Sequence, residues 1–388
     1  MKKLFYVLTV ATLFAITLTG CYSNEEYSYT PEPEVEEGID LETPDFGMEG
    51  GMDIELNDVR VFLLAHSPES NLEDGSFNQG AWNGIQDFVA MNPGAEYQFM
   101  QPVDASDESR LNLIESAVEA GANVIVLPGI HFRVPLYTAQ DMFPETMFVI
   151  LDSSPAHPET DEVRIESNVV AIHYAEEEAG FLAGFAAVIE GYRNLGFMGG
   201  HSVPAVVRFG HGFIQGAEYA AYQLGLSAGD VEVNHMFLGG FMPDVAHTTT
   251  AASWFEAGTE VIFVAAGGAA TSVMAAADAA GASVIGVDVD QSHMSDSVVT
   301  SALKGLDISV QNVLVDFLFG HFNGGAVMRF DTTNQGVSLA MANSRMQNFG
   351  EYQFEEIFQE LANGLVVASP TLDMNEIEVE LVVVNAFE

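Results

Sequence analysis

The first chemical clue in this chain is the position of Lys304. The only other lysines are Lys2 and Lys3, and 56 Asp and Glu face only 8 Arg. Lys304 ends a predicted polar strand, and Asp288 ends the apolar strand before it. A carboxylate accepts hydrogen bonds from hydroxyls and an ammonium donates them, so such a pair can hold a neutral polyol. A buried ammonium without a partner would lose its proton, because desolvation lowers its pKa. We therefore expect Lys304 to lie in a binding site, paired with Asp288.

Glycines and small polar residues follow the predicted strands, where ligands bind in open parallel sheets. Glycine lets a ligand approach the backbone closely. The set carries only two carboxylates, and the sequence has no arginine cluster or phosphate-binding loop, which argues against nucleotides and sugar phosphates. The strand-end candidates are His66, Ser67, Gly129, Asp152, Gly199, Gly200, Gly239, Gly267, Gly268 and Asp288.

The elements that position these residues alternate between short apolar runs and amphipathic stretches. This rhythm predicts βαβ units and parallel sheets, arranged as two successive α/β halves. Predicted strands span 59–65, 97–101, 124–127, 147–151, 195–198, 231–236, 261–265, 284–287 and 336–340. Predicted helices span 80–91, 107–120, 175–190, 203–224, 245–257, 271–280, 308–322 and 354–363.

The N-terminus has the layout of a bacterial secretion signal. Two lysines precede an apolar run, and Leu18-Thr19-Gly20-Cys21 resembles a lipobox, which implies removal of residues 1–20 and an acyl chain such as palmitate on Cys21. Residues 21–57 are acidic, hold no basic residue and predict a flexible linker. The protein is thus expected outside the cytoplasm of a bacterium, lipid-anchored to the cell membrane.

The net charge excludes nucleic acid as a partner. Without residues 1–20, 9 Lys and Arg oppose 56 Asp and Glu, a balance of −47. Such a chain repels phosphate backbones. The acidity itself favours adaptation to salty or alkaline surroundings over recognition of a cationic ligand.

Four sequence blocks together resemble the basic membrane protein family. They run in the family's order and span most of residues 58–340. The blocks are Asp74-Gly75-Ser76-Phe77-Asn78-Gln79-Gly80 with Trp82; Glu176-Glu177-Glu178-Ala179-Gly180-Phe181-Leu182-Ala183-Gly184; Gly196-Phe197-Met198-Gly199-Gly200 with Phe209, Gly212, Phe213 and Gly216; and Gly286-Val287-Asp288-Val289-Asp290-Gln291 with Thr300, Ser301 and Lys304. Gly75 stands where the family has lysine, and Gly239-Gly240 replaces Gly-Ser before the second aromatic.

The resemblance implies a two-lobed type I periplasmic-binding-protein fold, each lobe a parallel sheet flanked by helices. Lobe 1 would comprise 58–168 and 295–333, and lobe 2 would comprise 169–294 and 334–388. Chain crossings are expected near 167–171, 290–299 and 331–336, with helix 308–322 returning to lobe 1.

The resemblance also implies a monomeric lipoprotein that captures nucleosides, purines favoured, for the permease and ATPase of an ABC importer. Phe77 and Phe241 would stack on the two faces of the base. Asp152 would accept hydrogen bonds from the base, and Asp288 with Lys304 would bind the ribose. The remaining implied ligand contacts are Ser76, Asn78, Gly267 and Gly268.

Other interpretations of these residues remain open. Phe77 and Phe241 could be core residues, Asp152 could sit in a turn, and Asp288 could cap a helix. Asp288 and Asp290 could suggest calcium, but no further ligand follows, so no metal or cofactor is expected. The sequence also lacks the common motifs of catalytic sites, so we expect a binding protein rather than an enzyme. Alternative functions are a lipoprotein that binds a flavin or another heteroaromatic, or a sensor or surface-interaction lipoprotein without a transporter.

Overall fold

A computed structural model describes residues 58–387. The predicted signal peptide, Cys21 and the linker lie outside the described residues. Within them, the chain forms two separate β-sheets whose faces are covered by helices. This confirms the predicted α/β class, with parallel sheets flanked by helices.

The first sheet contains six parallel strands in the order β11-β5-β4-β3-β1-β2. Its central strands are almost wholly buried, as expected for a sheet covered on both faces. Its strands are β1 (Arg60–Leu64), β2 (Glu96–Met100), β3 (Val124–Pro128), β4 (Met147–Leu151), β5 (Val169–Tyr174) and β11 (Val327–Phe330).

The second sheet contains seven strands in the order β12-β10-β9-β8-β6-β7-β13. All neighbours pair in parallel except β12, which runs antiparallel to β10. Its strands are β6 (Asn194–Gly199), β7 (Val231–Phe237), β8 (Val261–Ala265), β9 (Ser283–Asp288), β10 (Val298–Lys304), β12 (Val337–Leu339) and β13 (Val382–Ala386).

The helices connect successive strands. They are α1 (Phe77–Met91), α2 (Asp107–Glu119), α3 (Arg133–Met142), α4 (Glu176–Glu190), α5 (Pro204–Gln223), α6 (Val245–Glu256), α7 (Ala270–Ala280), α8 (Leu306–Leu318) and α9 (Glu351–Ala362). The sequence pattern did not predict α3, β5, β11 or β13. None of the helices in the described part of the chain is long and apolar enough to cross a membrane.

The glycines of the second and third sequence blocks set the packing of α4 against α5. A Cβ on Gly184 would overlap the carbonyl oxygen of Phe213, and one on Gly216 would overlap that of Phe181. The two helix backbones therefore touch directly, which only glycine permits at these positions. This contact also brings the first residues of α4 beside Arg208 on α5.

The predicted lobe boundaries need correction at two strands. Residues 169–174 were assigned to lobe 2, but β5 pairs with β4 in the first sheet. Residues 298–304 were assigned to lobe 1, but β10 pairs with β9 in the second sheet. In both cases the strand pairs with the one immediately before it in the chain, so the crossing between lobes comes one strand later than predicted. An apolar run alone does not reveal which sheet a strand joins.

The chain therefore crosses between the sheets at Ala175, at Gly305 and along residues 331–336. The third crossing is where it was predicted; the first two come later than 167–171 and 290–299. After Gly305 the chain returns to the first lobe, where α8 packs on α1 so closely that a Cβ on Gly84 would meet the Asp307 backbone. That return was predicted.

Candidate functional site

A cavity of about 740 Å³ lies between the two sheets, at the carboxyl ends of their strands. Its size falls within the ~300–1,000 Å³ typical of small-molecule sites. It gathers eight of the nine ligand-contact candidates, and Ser76 lies just behind the wall. The eight in the wall are Phe77, Asn78, Asp152, Phe241, Gly267, Gly268, Asp288 and Lys304.

Asp152 directly follows β4, and Asp288 is the last residue of β9. Both adopt a left-handed backbone conformation, with φ of 58° and 67°. Asp adopts this conformation more readily than most residues. Holding a non-glycine residue there costs ~1–3 kcal/mol, and such strain is concentrated at ligand sites. The turn places each carboxylate at the cavity.

The Asp74–Gly80 block builds the start of α1. Asp74 Oδ1 accepts hydrogen bonds from the backbone N–H of Ser76 at 2.9 Å and of Gln79 at 3.1 Å, and Oδ2 accepts one from Asn78 N–H at 3.0 Å. These bonds satisfy donors that a helix start leaves unpaired. The first helical residue, Phe77, is thereby held in the cavity wall.

At the start of α1, polar contacts of Gly75 and Ser76 join the first lobe to the second. The Ser76 hydroxyl donates to Asp288 Oδ2. The Gln291 side chain is fully buried; its Nε2 donates to the carbonyl of Gly75 at 2.8 Å, and its Oε1 accepts from Val287 N–H at 3.1 Å. Gln291 belongs to the fourth sequence block, but sequence reasoning gave it no role.

Lys304 lies at the floor of the cavity, and its partners differ from the prediction. Its Nζ donates to Asp152 Oδ2 at 2.7 Å and lies 3.1 Å from Glu176 Oε1, an ion-pair contact outside hydrogen-bond geometry. Asp288 makes no ion pair within 4 Å in residues 58–387. In the register of β9 and β10, Leu303 is opposite Asp288. Lys304 is one residue further on and contacts the end of β4 instead.

Glu176 is the main residue that the sequence analysis missed. It is 0% exposed, and its Oε2 accepts from Arg208 Nε at 2.7 Å. Three acids in a row at a helix start are ordinarily explained by the helix dipole. The complete burial of Glu176, which follows from the glycine contact between α4 and α5, is visible only in the folded chain.

The charges at the floor shift one another's pKa values. Burial raises the pKa of Asp152 to about 7, against the opposing effect of Lys304. Burial also raises the pKa of Asp288. Burial opposes ionisation of Glu176, but Lys304 and Arg208 outweigh it and keep its pKa below the usual value. For Lys304, burial alone would lower the pKa, but the surrounding carboxylates raise it.

One carboxylate oxygen of Asp152 has no partner in the described part of the chain. Its Oδ1 is buried and has no hydrogen-bond partner within residues 58–387. A buried acceptor without a partner costs ~1–3 kcal/mol, a penalty that a donor from a ligand would remove.

Histidines line the outer part of the cavity, and of these only His66 was a candidate from sequence. His66 and His131 stack in the first lobe with ring centroids 4.9 Å apart, and His201 packs edge-on against Phe241 at 5.2 Å in the second. Burial lowers the pKa of His66 to about 4. These rings extend the aromatic character of the wall. The described residues hold no group of three or more His, Cys, Asp or Glu suited to a metal ion.

Comparison with solved structures establishes the fold. A solute-binding protein of an ABC transporter system from Aeropyrum pernix K1 matches with a TM-score of 0.69 and 21% identity, over 82% of this chain and 95% of the other. One from Conexibacter woesei matches with a TM-score of 0.64 and 22% identity, over 80% and 99%. The predicted two-lobed binding-protein fold is thus confirmed.

Comparison of sequences identifies the family. The chain is 28% identical over 297 residues to the ABC transporter nucleoside-binding protein BmpA of Lactococcus lactis, covering 71% of this chain and 80% of the relative. It is 26% identical over 326 residues to basic membrane protein A1 of Borrelia garinii, covering 82% and 90%. The model of the Bmp family, ABC transporter substrate-binding proteins that are PnrA-like, matches residues 63–364. The chain therefore belongs to the Bmp family of ABC transporter substrate-binding proteins.

Proposed function

We propose that the cavity binds a nucleoside, with purine nucleosides favoured. The observation that carries the proposal is that one cavity combines aromatic walls with a charged, polar floor. Phe77 from the first lobe and Phe241 from the second supply aromatic surface, while Lys304, Asp152 and Asp288 supply a polar floor. A nucleoside has the same two parts, a flat heteroaromatic base and a polyol.

The aromatic part suits a base. Stacking on an aromatic side chain contributes roughly 1–3 kcal/mol per base. Gly129 and Gly267 leave room beside the two rings, since a Cβ there would come within 3.8 Å of Phe77 and 3.7 Å of Phe241. The unpartnered Oδ1 of Asp152 accepts a hydrogen bond from an N–H donor, such as those on a purine edge.

The polar floor suits a ribose. Each hydroxyl both donates and accepts, so neighbouring hydroxyls can donate to Asp288 and accept from Lys304. The floor holds more carboxylates than cations, which disfavours a phosphate group because like charges repel at short distance.

Membership of this family implies a location outside the cytoplasm and, as partners, the permease and ATPase of an ABC transporter. The family is one of binding proteins rather than enzymes. The name of the Lactococcus lactis relative, a nucleoside-binding protein, supports the proposed ligand class. We propose further that the protein acts as a monomer anchored through an acylated Cys21.

The test is to identify the ligand directly. Native protein, purified without dialysis, is denatured, and the released small molecules are identified by mass spectrometry. Thermal unfolding is then followed with inosine, adenosine, guanosine, uridine and cytidine, because a ligand that binds only the folded state raises the melting temperature. Ribose and inosine monophosphate serve as controls. If no nucleoside raises the melting temperature and a flavin is released instead, the ligand class proposed here is wrong.

A further inference from the structure

Glu176 contacts the Lys304 ammonium from outside the cavity. Its carboxylate lies 3.1 Å from Lys304 Nζ, but Glu176 is 0% exposed and is not part of the cavity wall. Whatever Glu176 does for a ligand therefore acts through Lys304.

The ammonium of Lys304 is confined by two carboxylates and three aromatic rings. Besides Asp152 and Glu176, the ring centroids of Phe77, Tyr174 and Phe209 lie 5.1, 5.0 and 5.3 Å from Nζ. Such cation–π contacts attract an ammonium when it is desolvated. Asp152 belongs to the first lobe and Glu176 to the first helix of the second, so the ammonium contacts one carboxylate from each lobe.

Glu176 is itself held firmly in place. Arg208 Nε donates to its Oε2 at 2.7 Å, and the backbone-to-backbone packing of α4 on α5 fixes the separation of these two residues. Glu176 is also the first residue of α4, where the helix dipole favours a carboxylate. Its position is thus set by the fold, independently of any ligand.

We propose that Glu176 is a positioning residue of the ligand site, which keeps the Lys304 ammonium charged and directed at the cavity floor without touching the ligand. The part of this inference that concerns affinity rests on the proposed nucleoside function. The part that concerns Lys304 does not.

The adjacent residue supplies a matched control. Glu177 is 1% exposed and lies on the same helical turn, but it pairs with Arg329 at 2.5 Å and lies 3.8 Å from Arg208. It makes no ion pair with Lys304. Glu176→Gln and Glu177→Gln therefore remove the same buried charge from neighbouring positions, and only the first removes a partner of Lys304.

The first measurement needs no ligand. The chain has three lysines, and Lys2 and Lys3 lie at its start, so lysine-labelled protein gives a very simple NMR spectrum. The Lys304 side-chain signal is assigned by its absence from Lys304→Met, and its chemical shift is followed with pH. In the wild type and in Glu177→Gln the signal should remain that of the charged ammonium up to the most alkaline pH at which the protein stays folded, whereas in Glu176→Gln Lys304 should begin to titrate at lower pH. Identical titrations in the two variants would overturn the inference.

The second measurement is inosine affinity by calorimetry near neutral pH and at alkaline pH. Removing a group that orients a metal ligand typically costs about 10–100-fold in affinity. By the same reasoning Glu176→Gln should bind inosine at least about 10-fold more weakly, with a larger loss at alkaline pH. Glu177→Gln should retain the affinity and pH dependence of the wild type. Glu176→Asp, which keeps the charge on a shorter arm, should fall between, and it replaces Glu176→Gln if that variant does not fold.

The two proposals can fail separately. If the wild type binds no nucleoside but Lys304 titrates differently in the two variants, the ligand class is wrong and the positioning role stands. If the wild type binds inosine and Glu176→Gln matches Glu177→Gln in both measurements, the positioning role is wrong.

Discussion

Replacement of Lys304 by methionine should destabilise the fold in a pH-dependent way. Methionine keeps much of the apolar stem but removes the ammonium, which leaves Asp152 and Glu176 without their shared partner. Breaking a buried ion pair by deleting one member typically costs ~3–5 kcal/mol. We expect about 3 kcal/mol at alkaline pH, at the low end of that range, because Arg208 still pairs with Glu176.

The direction of the pH effect follows from Asp152. Its pKa in the folded protein is already raised to about 7, with burial as the main cause, and loss of Lys304 removes an effect that lowers it. A carboxylate with a raised folded-state pKa takes up a proton more readily in the folded than in the unfolded state. The stability deficit of the variant should therefore shrink as the pH falls through the folded-state pKa of Asp152. At alkaline pH the deficit should remain in full.

Urea unfolding measures this effect. Trp82 and Trp254, the two tryptophans of the chain, lie in different lobes and report fluorescence from each. For a folded part of this size, a loss of 3 kcal/mol corresponds to a melting-temperature decrease of about 4 °C.

The matched control is Lys304→Met combined with Asp152→Asn. The neutral amide removes the unpaired charge, so the double variant should recover part of the stability lost at alkaline pH and show a weaker pH dependence. Equal losses at acid and alkaline pH, with no recovery on adding Asp152→Asn, would refute the assignment of Lys304 as the partner of Asp152.

Three further outcomes are expected. Phe77→Ala and Phe241→Ala should each weaken inosine binding by roughly 1–3 kcal/mol in calorimetry. Phe319→Ala, at a position 62% exposed, should leave the affinity unchanged. If all three variants bind inosine equally well, the rings do not stack on the ligand. Burial lowers the pKa of His235 to about 4, below its unfolded value, so His235 should contribute a loss of ~3 kcal/mol of stability as the pH falls from about 6.5 to 4. His235→Gln should flatten that part of the urea-unfolding profile, and an unchanged slope would contradict the assignment. Gly184→Ala should lower stability by ~1–3 kcal/mol or more through overlap with the Phe213 backbone, whereas Gly240→Ala, with open space around it, should leave the melting temperature nearly unchanged.

The sequence alone determined the fold class and most of the helices and strands. Strands such as β4 and β8 are short and apolar, the intervening helices have ordinary length, and this local pattern is sufficient to predict an α/β chain. The four blocks led to the family because their glycines and their acid-rich turns are local features. The blocks also contained several of the residues that the structure gathers around one cavity, among them Phe77, Asp288 and Lys304.

Only the tertiary structure decided which sheet β5 and β10 join and which charged side chains form ion pairs. β5 and β10 pair with β4 and β9, the strands just before them, and on their other edges with the later strands β11 and β12. Local sequence does not reveal these pairings. Lys304 contacts Asp152 and Glu176 because three separate chain segments converge at its ammonium. A buried charge takes the partner that lies within a few ångströms, and no spacing in the sequence encodes that distance.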